Sequence, residues 1–303
     1  MSERSLVAAV FPGQGSQKPG MGRSLYEANT TFRETFDRIS DADGRDLRAL
    51  AFEADESTLR ETQNAQSALY ACGLSAYRAW HAGGGVADLF AGHSIGEYAA
   101  LAAAGVLSDT DGARLVRRRG ELMAEAGVST PGTMAAVLGL DADAVAEILR
   151  NVDGVVVVAN DNCPGQIVIS GTLAATSEAS SKLSESGAKR VLPLSVSGAF
   201  HSPLMADSAQ AMRPALDAVA FGAGAPVISN VLADLSGDAI WPDLLERQLA
   251  SPVRWTESVR RMVALGATEF IEFGAGEVLG GLIRRTDKTV AARRVAESED
   301  LAL

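Results

Sequence analysis

The segment "LFAGHSIGEYAALAAAG" (residues 89–105) places a serine between two glycines, after a short apolar run and before an alanine-rich stretch of helical character. Gly92, Ser94 and Gly96 fit the pattern G-x-S-x-G, in which a strand turns sharply into a helix. Small residues two positions to either side of the serine relieve the crowding at such a turn. The chain is thereby constrained to a strand that ends at a sheet edge and passes directly into a helix.

Ser94 in this turn has two interpretations. A strand-to-helix turn raises the serine hydroxyl above the sheet edge. The helix that starts there directs free N–H groups and its positive dipole end at charge that develops on an acyl oxygen. This first interpretation makes Ser94 a nucleophile. The alternative is a serine that only caps a helix after a glycine turn, which is a common role for this residue type.

The flanking parts of the chain alternate short apolar strands with longer helical patterns, which predicts a mostly parallel sheet covered by helices. The predicted strands are "SLVAAVF", "DLFAGH", "APVISN" and "EFIEFG". Residues 133–197 differ, since their predicted order is β-α-β-β-α-β, that of a ferredoxin-like unit. We therefore predict an α/β protein with a small domain, residues 131–197, inserted into a large domain made of residues 1–130 and 198–303.

The 303 residues are 47% hydrophobic and carry a formal net charge of −11, which is typical of a globular protein and disfavours nucleic-acid binding. No apolar run approaches the ~20 residues of a membrane span, and "SLVAAVF" is too short for a signal peptide. Only Cys72 and Cys163 occur, without the spacing of a metal site or a disulfide framework. These features predict a cytoplasmic protein with no nucleic-acid or membrane partner, and we expect a monomer.

A nucleophilic serine needs a base, and the chain contains three histidines. His93 adjoins the serine at a strand end, so we expect its side chain to point to the opposite face. His81 closes a helix, where an imidazole interacts well with the helix C-terminus. His201 follows a strand and precedes a helix that begins with proline, and by elimination it is the predicted base. The sequence singles out no carboxylate to orient it; Asp207 is nearby, and a backbone carbonyl group is equally possible.

The helical segment "SDTDGARLVRRRGELMAEAG" places an arginine on its apolar side. At about 100° per residue, Arg119 lies near the centre of the apolar sector, whereas Arg117 and Arg118 project outside it. The apolar members of that sector are Leu115, Val116, Leu122, Met123 and Ala126, of which Met123 is also a predicted substrate-binding residue. A buried guanidinium demands an anionic partner. That partner is either Glu97 or another internal carboxylate, or the carboxylate of a substrate.

The glycine-rich segment "FPGQGSQKPGMG" (residues 11–22) follows the first predicted strand. It fits neither a P-loop nor a dinucleotide-binding fingerprint. One interpretation is a plain connection from strand to helix. The other is a loop that supplies a second oxyanion donor, through the side chain or the backbone N–H of Gln14.

Together these segments resemble the malonyl-CoA:acyl carrier protein transacylases of fatty acid and polyketide synthesis, over nearly the whole chain. The matching motifs are "FPGQGSQ" at 11–17, "TQNAQSALY" at 62–70, "GHSIGE" at 92–97, "RRRG" at 117–120, "ANDNCPGQIVISG" at 159–171, "GAFHSPLM" at 198–205 and "SPVRW" at 251–255. The resemblance implies a hydrolase-like core that carries the ferredoxin-like insertion.

The same resemblance implies catalytic roles. Ser94 would be the nucleophile and His201 the base. Gln14 and the backbone N–H of Ile95 would bind the oxyanion, and the main-chain carbonyl group of Gln248 would orient the base. This last role would explain why no triad carboxylate stands out in the sequence.

Substrate-binding roles follow from the resemblance as well. Arg119 would bind the malonyl carboxylate, and Phe200 would fill the space that an α-methyl group needs. The predicted lining of the substrate channel in the small domain is Asn160, Asn162 and Gln166.

The implied reaction moves a malonyl group from malonyl-CoA, through a malonyl-serine, to the phosphopantetheine thiol of acyl carrier protein, by a ping-pong route and without a cofactor. Because carrier proteins are acidic and this chain is acidic too, docking requires a local basic patch. The candidates are Lys189, Arg190, Arg284 and Arg285. Two other classes stay open: a serine hydrolase with the same turn, and a non-catalytic carrier-binding protein.

Overall fold

The computed structural model describes residues 5–237 and 240–301, and within these ranges the chain forms nine strands. In chain order they are β1 (Leu6–Phe11), β2 (Leu89–Gly92), β3 (Thr133–Leu138), β4 (Val156–Cys163), β5 (Gln166–Gly171), β6 (Arg190–Pro193), β7 (Val227–Ile228), β8 (Ala267–Phe273) and β9 (Ala291–Val295).

The same described ranges contain twelve α-helices. They are α1 (Arg23–Ala28), α2 (Thr30–Asp43), α3 (Glu56–Arg60), α4 (Thr62–Ala82), α5 (Gly96–Ala103), α6 (Asp109–Ser129), α7 (Ala142–Leu149), α8 (Leu173–Glu185), α9 (Ala206–Asp217), α10 (Trp241–Ala250), α11 (Trp255–Ala264) and α12 (Val278–Thr286). No helix in these ranges has both the length and the apolar character that crossing a membrane would require.

Five strands form a parallel sheet in the order β7-β2-β1-β8-β9. Successive residues of a strand point to opposite faces, and β1 shows this on both sides of the sheet. Ala9 and Phe11 pack into one hydrophobic core, and Ala8 and Val10 pack into the other. Helices α4 and α5 contribute to the first core and α11 and α12 to the second, so both faces of the sheet are buried.

The other four strands form an antiparallel sheet in the order β4-β5-β3-β6. One face of this sheet packs on α7 and α8, through residues that include Val137 and Ile169. The other face carries Ala136 and Val168, which line a cavity next to the parallel sheet. Strand β4 is bonded to the segment between α10 and α11, where Asp161 N–H donates to the Val253 carbonyl at 3.0 Å.

The predicted fold class is confirmed, since a parallel sheet covered by helices accompanies an antiparallel sheet with β-α-β-β-α-β connectivity. The domain boundaries at 130 and 198 stay a prediction. One edge strand, β9, was missed because "AARRV" carries two arginines where a buried strand would be apolar. Helix α5, which follows the turn at Ser94, begins at Gly96, two residues after the serine.

Candidate active site

The turn from Gly92 to Gly96, here called the nucleophile turn, lies at the carboxyl edge of the parallel sheet. Ser94 has a φ of 53°, in the left-handed region that costs a non-glycine residue about 1–3 kcal/mol. A Cβ at Gly92 would lie 1.9 Å from the carbonyl carbon of Gly96, and a Cβ at Gly96 would lie 2.1 Å from the Phe11 carbonyl oxygen. Both glycines are therefore required by close packing of the backbone. The strained serine is held where its hydroxyl leaves the sheet edge.

His201 lies against this serine. Its Nε2 is 2.7 Å from Ser94 Oγ, and its Nδ1 is 2.9 Å from the Gln248 carbonyl and 3.2 Å from the Ser251 carbonyl. A carbonyl group can only accept, so Nδ1 carries the proton and Nε2 is free to accept from the serine hydroxyl. Asp207, the carboxylate that the sequence offered, is exposed on α9. The geometry is that of a Ser–His dyad oriented by backbone carbonyls.

His201 is neutral in this site. Burial, together with the neighbouring Arg119 cation, lowers the pKa of its imidazole to about 3. Its backbone is also left-handed, with a φ of 57°. Three non-glycine residues in the described ranges have positive φ, and the dyad accounts for two of them. Strain is therefore concentrated at the two residues that meet.

The guanidinium of Arg119 is wholly buried on α6, beside the serine. Its Nη2 donates to Ser94 Oγ at 3.1 Å and to Gln248 Oε1 at 2.9 Å, while Nη1 donates to Gln66 Oε1 at 2.8 Å. Its Nε has no hydrogen-bond partner within the described residues. The cation thus has neutral hydrogen-bond acceptors and one nitrogen, Nε, with no partner among the described residues, at a point 3.1 Å from the nucleophile.

Glu97, the internal carboxylate that the sequence offered for Arg119, is linked to it indirectly. Gln248 stands between them, because its Oε1 accepts from Arg119 and its Nε2 donates to Glu97 Oε2. Burial raises the pKa of the Glu97 carboxyl to about 7, and hydrogen bonds from Asn230 and Gln248 and the Arg119 charge oppose that rise. No direct ion pair between Glu97 and Arg119 is found in the described part of the chain.

Two backbone N–H groups near the serine lack acceptors. Neither Ile95 N–H nor Gln14 N–H makes a hydrogen bond within the described residues. The side-chain amide of Gln14, by contrast, donates to Thr62 Oγ1 at 3.2 Å. An amide nitrogen carries two N–H bonds, so both donors that the sequence allowed for Gln14, the backbone N–H and the second side-chain N–H, stay available. The first N–H groups of a strand-to-helix turn are suited to a developing oxyanion.

A cavity of about 370 Å³ opens onto the dyad, between the carboxyl edge of the parallel sheet and the open face of the antiparallel sheet. Its lining contains every predicted substrate-binding residue, namely Arg119, Met123, Asn160, Asn162, Gln166 and Phe200. Gln14, Ile95, Ser94 and His201 line it as well. Gln248 lies behind this lining and is wholly buried.

The side chain of His93 was expected to point to the opposite face from that of Ser94, and its ring lies 5.7 Å from that of Trp255 on α11, in the core on the other side of the parallel sheet from α6. Its Nε2 lies 2.8 Å from Asn162 Oδ1, and the residue lines the same cavity as Ser94. The left-handed turn at Ser94 directs its own Oγ to His201 Nε2 and Arg119 Nη2 instead. His81, as expected, is structural: its Nδ1 lies 2.8 Å from the Gly85 carbonyl at the end of α4.

Two further residues of the site were missed in the sequence. Gln66 is a wholly buried amide on α4 that accepts from Arg119, and Asn230 is a buried amide that contacts the nucleophile turn. A signal existed for each of them. Gln66 lies in a helix among apolar residues, and Asn230 follows β7, the strand that pairs with β2. Within the described residues, no group of three or more His, Cys, Asp or Glu side chains could hold a metal ion.

A strained serine that shares its proton with a buried imidazole, above the edge of a parallel sheet, defines an α/β enzyme that can form an ester on its own serine. The acyl transferase domain model matches residues 9–299. Curated and solved relatives agree with this match. The chain therefore belongs to the acyl transferase domain family and, within it, to the malonyl CoA-acyl carrier protein transacylases.

The relatives cover nearly the full chain. The malonyl CoA-acyl carrier protein transacylase of Bacillus subtilis is 44% identical over 304 residues, 99% of this chain and 96% of the relative. The malonyl-CoA:acyl carrier protein transacylase of Xanthomonas oryzae is 44% identical with a TM-score of 0.94, over 98% of this chain and 96% of its own. A malonyl-transacylase solved in complex with its type II PKS acyl-carrier protein is 40% identical with a TM-score of 0.93, over 98% of each chain.

Proposed function

We infer that this chain transfers a malonyl group from malonyl-CoA to the phosphopantetheine thiol of acyl carrier protein, through a malonyl ester of Ser94. One observation carries the choice of acyl group: the wholly buried guanidinium of Arg119 lies 3.1 Å from Ser94 Oγ. An unpaired buried cation is costly, and a substrate carboxylate is the partner that makes it favourable. The relatives are malonyl CoA-acyl carrier protein transacylases by name, which supports the same conclusion.

The first half-reaction uses the dyad. His201 Nε2 takes the Ser94 hydroxyl proton while Oγ forms a bond to the thioester carbonyl carbon. The negative charge on the carbonyl oxygen is stabilised by the N–H groups of Ile95 and Gln14. When the carbonyl re-forms, the C–S bond breaks, and the CoA thiolate leaves with the proton that His201 held. The second half-reaction is the reverse, with the carrier protein's thiol as the attacking group.

Arg119 connects substrate choice to the strength of the base. A malonyl carboxylate against the guanidinium would use the unpartnered Nε–H, and it would neutralise the cation that lowers the pKa of His201. Loss of that repulsion raises the basicity of His201 toward the range in which proton transfer is efficient. A malonyl group is thereby favoured over an uncharged acyl group in both binding and proton transfer.

Intact-protein mass measurement after incubation with labelled malonyl-CoA tests this function. We expect a long-lived adduct of one malonyl group, which disappears when holo acyl carrier protein is added. Rapid release of free malonate without an adduct would identify a hydrolase instead. A protein that forms no adduct and releases no malonate would be a non-catalytic carrier-binding protein.

The remaining partner and cofactor assignments belong to the same proposal. Transfer between thioester and ester needs no cofactor beyond the coenzyme A of the substrate, and the protein acts as a monomer in the cytoplasm. The carrier protein docks on Lys189, Arg190, Arg284 and Arg285. Support for this patch comes from Arg285, which donates to Gln166 Oε1 at 2.6 Å at the cavity, and from Leu138, which pairs with both Gln166 and Arg190.

Charge reversal tests the docking patch. Lys189→Glu/Arg190→Glu is expected to raise the KM for carrier protein about fivefold or more, since each exposed ion pair contributes up to about 1 kcal/mol. Self-malonylation from malonyl-CoA should stay at the wild-type rate, and the salt dependence of the second half-reaction should weaken. Arg150→Glu is the matched control, because Arg150 is exposed just after α7, the helix that covers the opposite face of the same sheet. Equal losses in both half-reactions would show that the patch is structural.

A further inference from the structure

The side chain of Asn230 bridges the nucleophile turn. Asn230 lies two residues beyond β7, the strand that pairs with β2, and only 1% of its surface is exposed. Its Oδ1 accepts from Ser94 N–H at 2.8 Å, and its Nδ2 donates to the Gly92 carbonyl at 2.6 Å. A single amide group therefore contacts the backbone on both sides of His93.

These two bonds replace the sheet ladder where the turn interrupts it. Strand β2 pairs with β7 in parallel, with Phe90 opposite Val227, and Phe90 N–H donates to the Pro226 carbonyl. In such a ladder every second residue of β2 bonds to β7. Continued beyond Gly92, that register would pair the Gly92 carbonyl and Ser94 N–H with the backbone amide groups of residue 230. The side-chain amide of Asn230 supplies the same acceptor and donor. Buried backbone groups need such partners, and the left-handed turn leaves these two without any in the sheet.

Asn230 is itself held in place by Glu97. The backbone N–H of Asn230 donates to Glu97 Oε1 at 2.8 Å, while the other carboxylate oxygen accepts from Gln248 Nε2. Gln248 Nε2 also donates to the Ser94 carbonyl at 2.9 Å. The serine is thus fixed at both its N–H and its carbonyl by buried side-chain amides. The carboxylate of Glu97, on the first turn of α5, holds both residues, through the backbone N–H of Asn230 and the side-chain amide of Gln248.

We propose that Asn230 is a positioning residue for the nucleophile: its side chain replaces the sheet ladder across the turn and keeps Ser94 in the left-handed conformation that places Oγ 2.7 Å from His201 Nε2. The inference rests on the proposed role of Ser94 as the nucleophile. Asn230 itself is absent from the cavity lining, so it affects how fast Ser94 reacts and leaves substrate binding unchanged.

The test compares Asn230→Ala with wild type in single-turnover malonylation and in labelling by a fluorophosphonate, a serine reagent that does not need Arg119. We expect both rates to fall about 10- to 100-fold, because displacement of a reacting atom by ~1 Å costs about that much. The KM for malonyl-CoA should change less than twofold. If the alanine variant fails to fold, Asn230→Leu, which keeps the side-chain volume, takes its place. It should show the same fall in both rates with the same small change in KM.

Asp234→Ala is the matched control. Asp234 anchors the same loop through Leu235 N–H and Arg261 Nε, without touching the turn, and its variant should react at the wild-type rate. Wild-type labelling of folded Asn230→Ala or Asn230→Leu protein, or an equal loss in Asp234→Ala, would overturn the assignment. Ser94→Ala in the same assay tests the proposed nucleophile separately from the role of Asn230: labelling of that variant at the wild-type rate would show that Ser94 is not the nucleophile.

Discussion

Replacement of Ser94 by alanine is expected to remove the covalent malonyl adduct and to lower the rate of malonyl transfer by roughly 10⁴-fold or more, as in other serine enzymes. The reason is that Oγ is the atom that bonds to the acyl carbon, and no other group can take its place at 2.7 Å from His201 Nε2. The backbone donors and the Arg119 cation remain, so substrate still binds. Intact-protein mass and the rate of malonyl transfer to carrier protein measure the two losses.

Ser195→Ala provides the control for this experiment. Ser195 lines the same cavity and is exposed, so it tests whether any serine near the substrate becomes acylated. This variant should form the adduct with wild-type yield. Wild-type malonyl transfer by folded Ser94→Ala protein would refute the nucleophile turn as the site of the reaction.

Replacement of Arg119 by alanine should change the choice of acyl group more than it changes activity as such. Loss of a buried, bidentate ion pair worth ~2–5 kcal/mol corresponds to a decrease of roughly 30- to several-thousand-fold in kcat/KM for malonyl-CoA. Acetyl-CoA has no carboxylate to lose, so its weak reaction should survive. It is expected to improve, since removal of the cation raises the pKa of His201 toward its usual range. The ratio of kcat/KM for the two substrates is the quantity to measure.

Two variants control for structural damage at this position. Arg119→Lys should recover part of the malonyl reaction, because an ammonium group keeps the charge but cannot form two parallel bonds. Arg118→Ala, one residue earlier on α6 with 42% of its side chain exposed, should leave both substrates unaffected. Arg119 also donates to Gln248, whose carbonyl orients His201, and damage through that route would depress both substrates equally. An unchanged malonyl-to-acetyl ratio in folded Arg119→Ala protein would contradict the carboxylate role.

The local features of this chain were readable from its sequence because each depends on residues close together along it. Gly92 and Gly96 revealed the turn, since a Cβ at either position would lie only 1.9–2.1 Å from backbone atoms of the neighbouring segment. The helical period revealed that Arg119 is buried, and strand and helix patterns revealed both sheets. The exception is β9, in which only Val295 is buried and which therefore lacks the apolar signature of an interior strand.

The contacts between residues that are far apart in sequence were determined only by the tertiary structure. The sequence left Arg119 with two possible partners, and only the packing of α10 against the turn showed Gln248 between it and Glu97. Apart from the family resemblance, nothing in the sequence identified Gln248 as the residue whose carbonyl group binds His201 Nδ1, because every residue has a backbone carbonyl group. Asn230 lies 136 residues from Ser94, and β7 brings it there by pairing with β2. The chemistry of each group is a property of its residue type, but which groups meet depends on how the strands are ordered in the folded sheet.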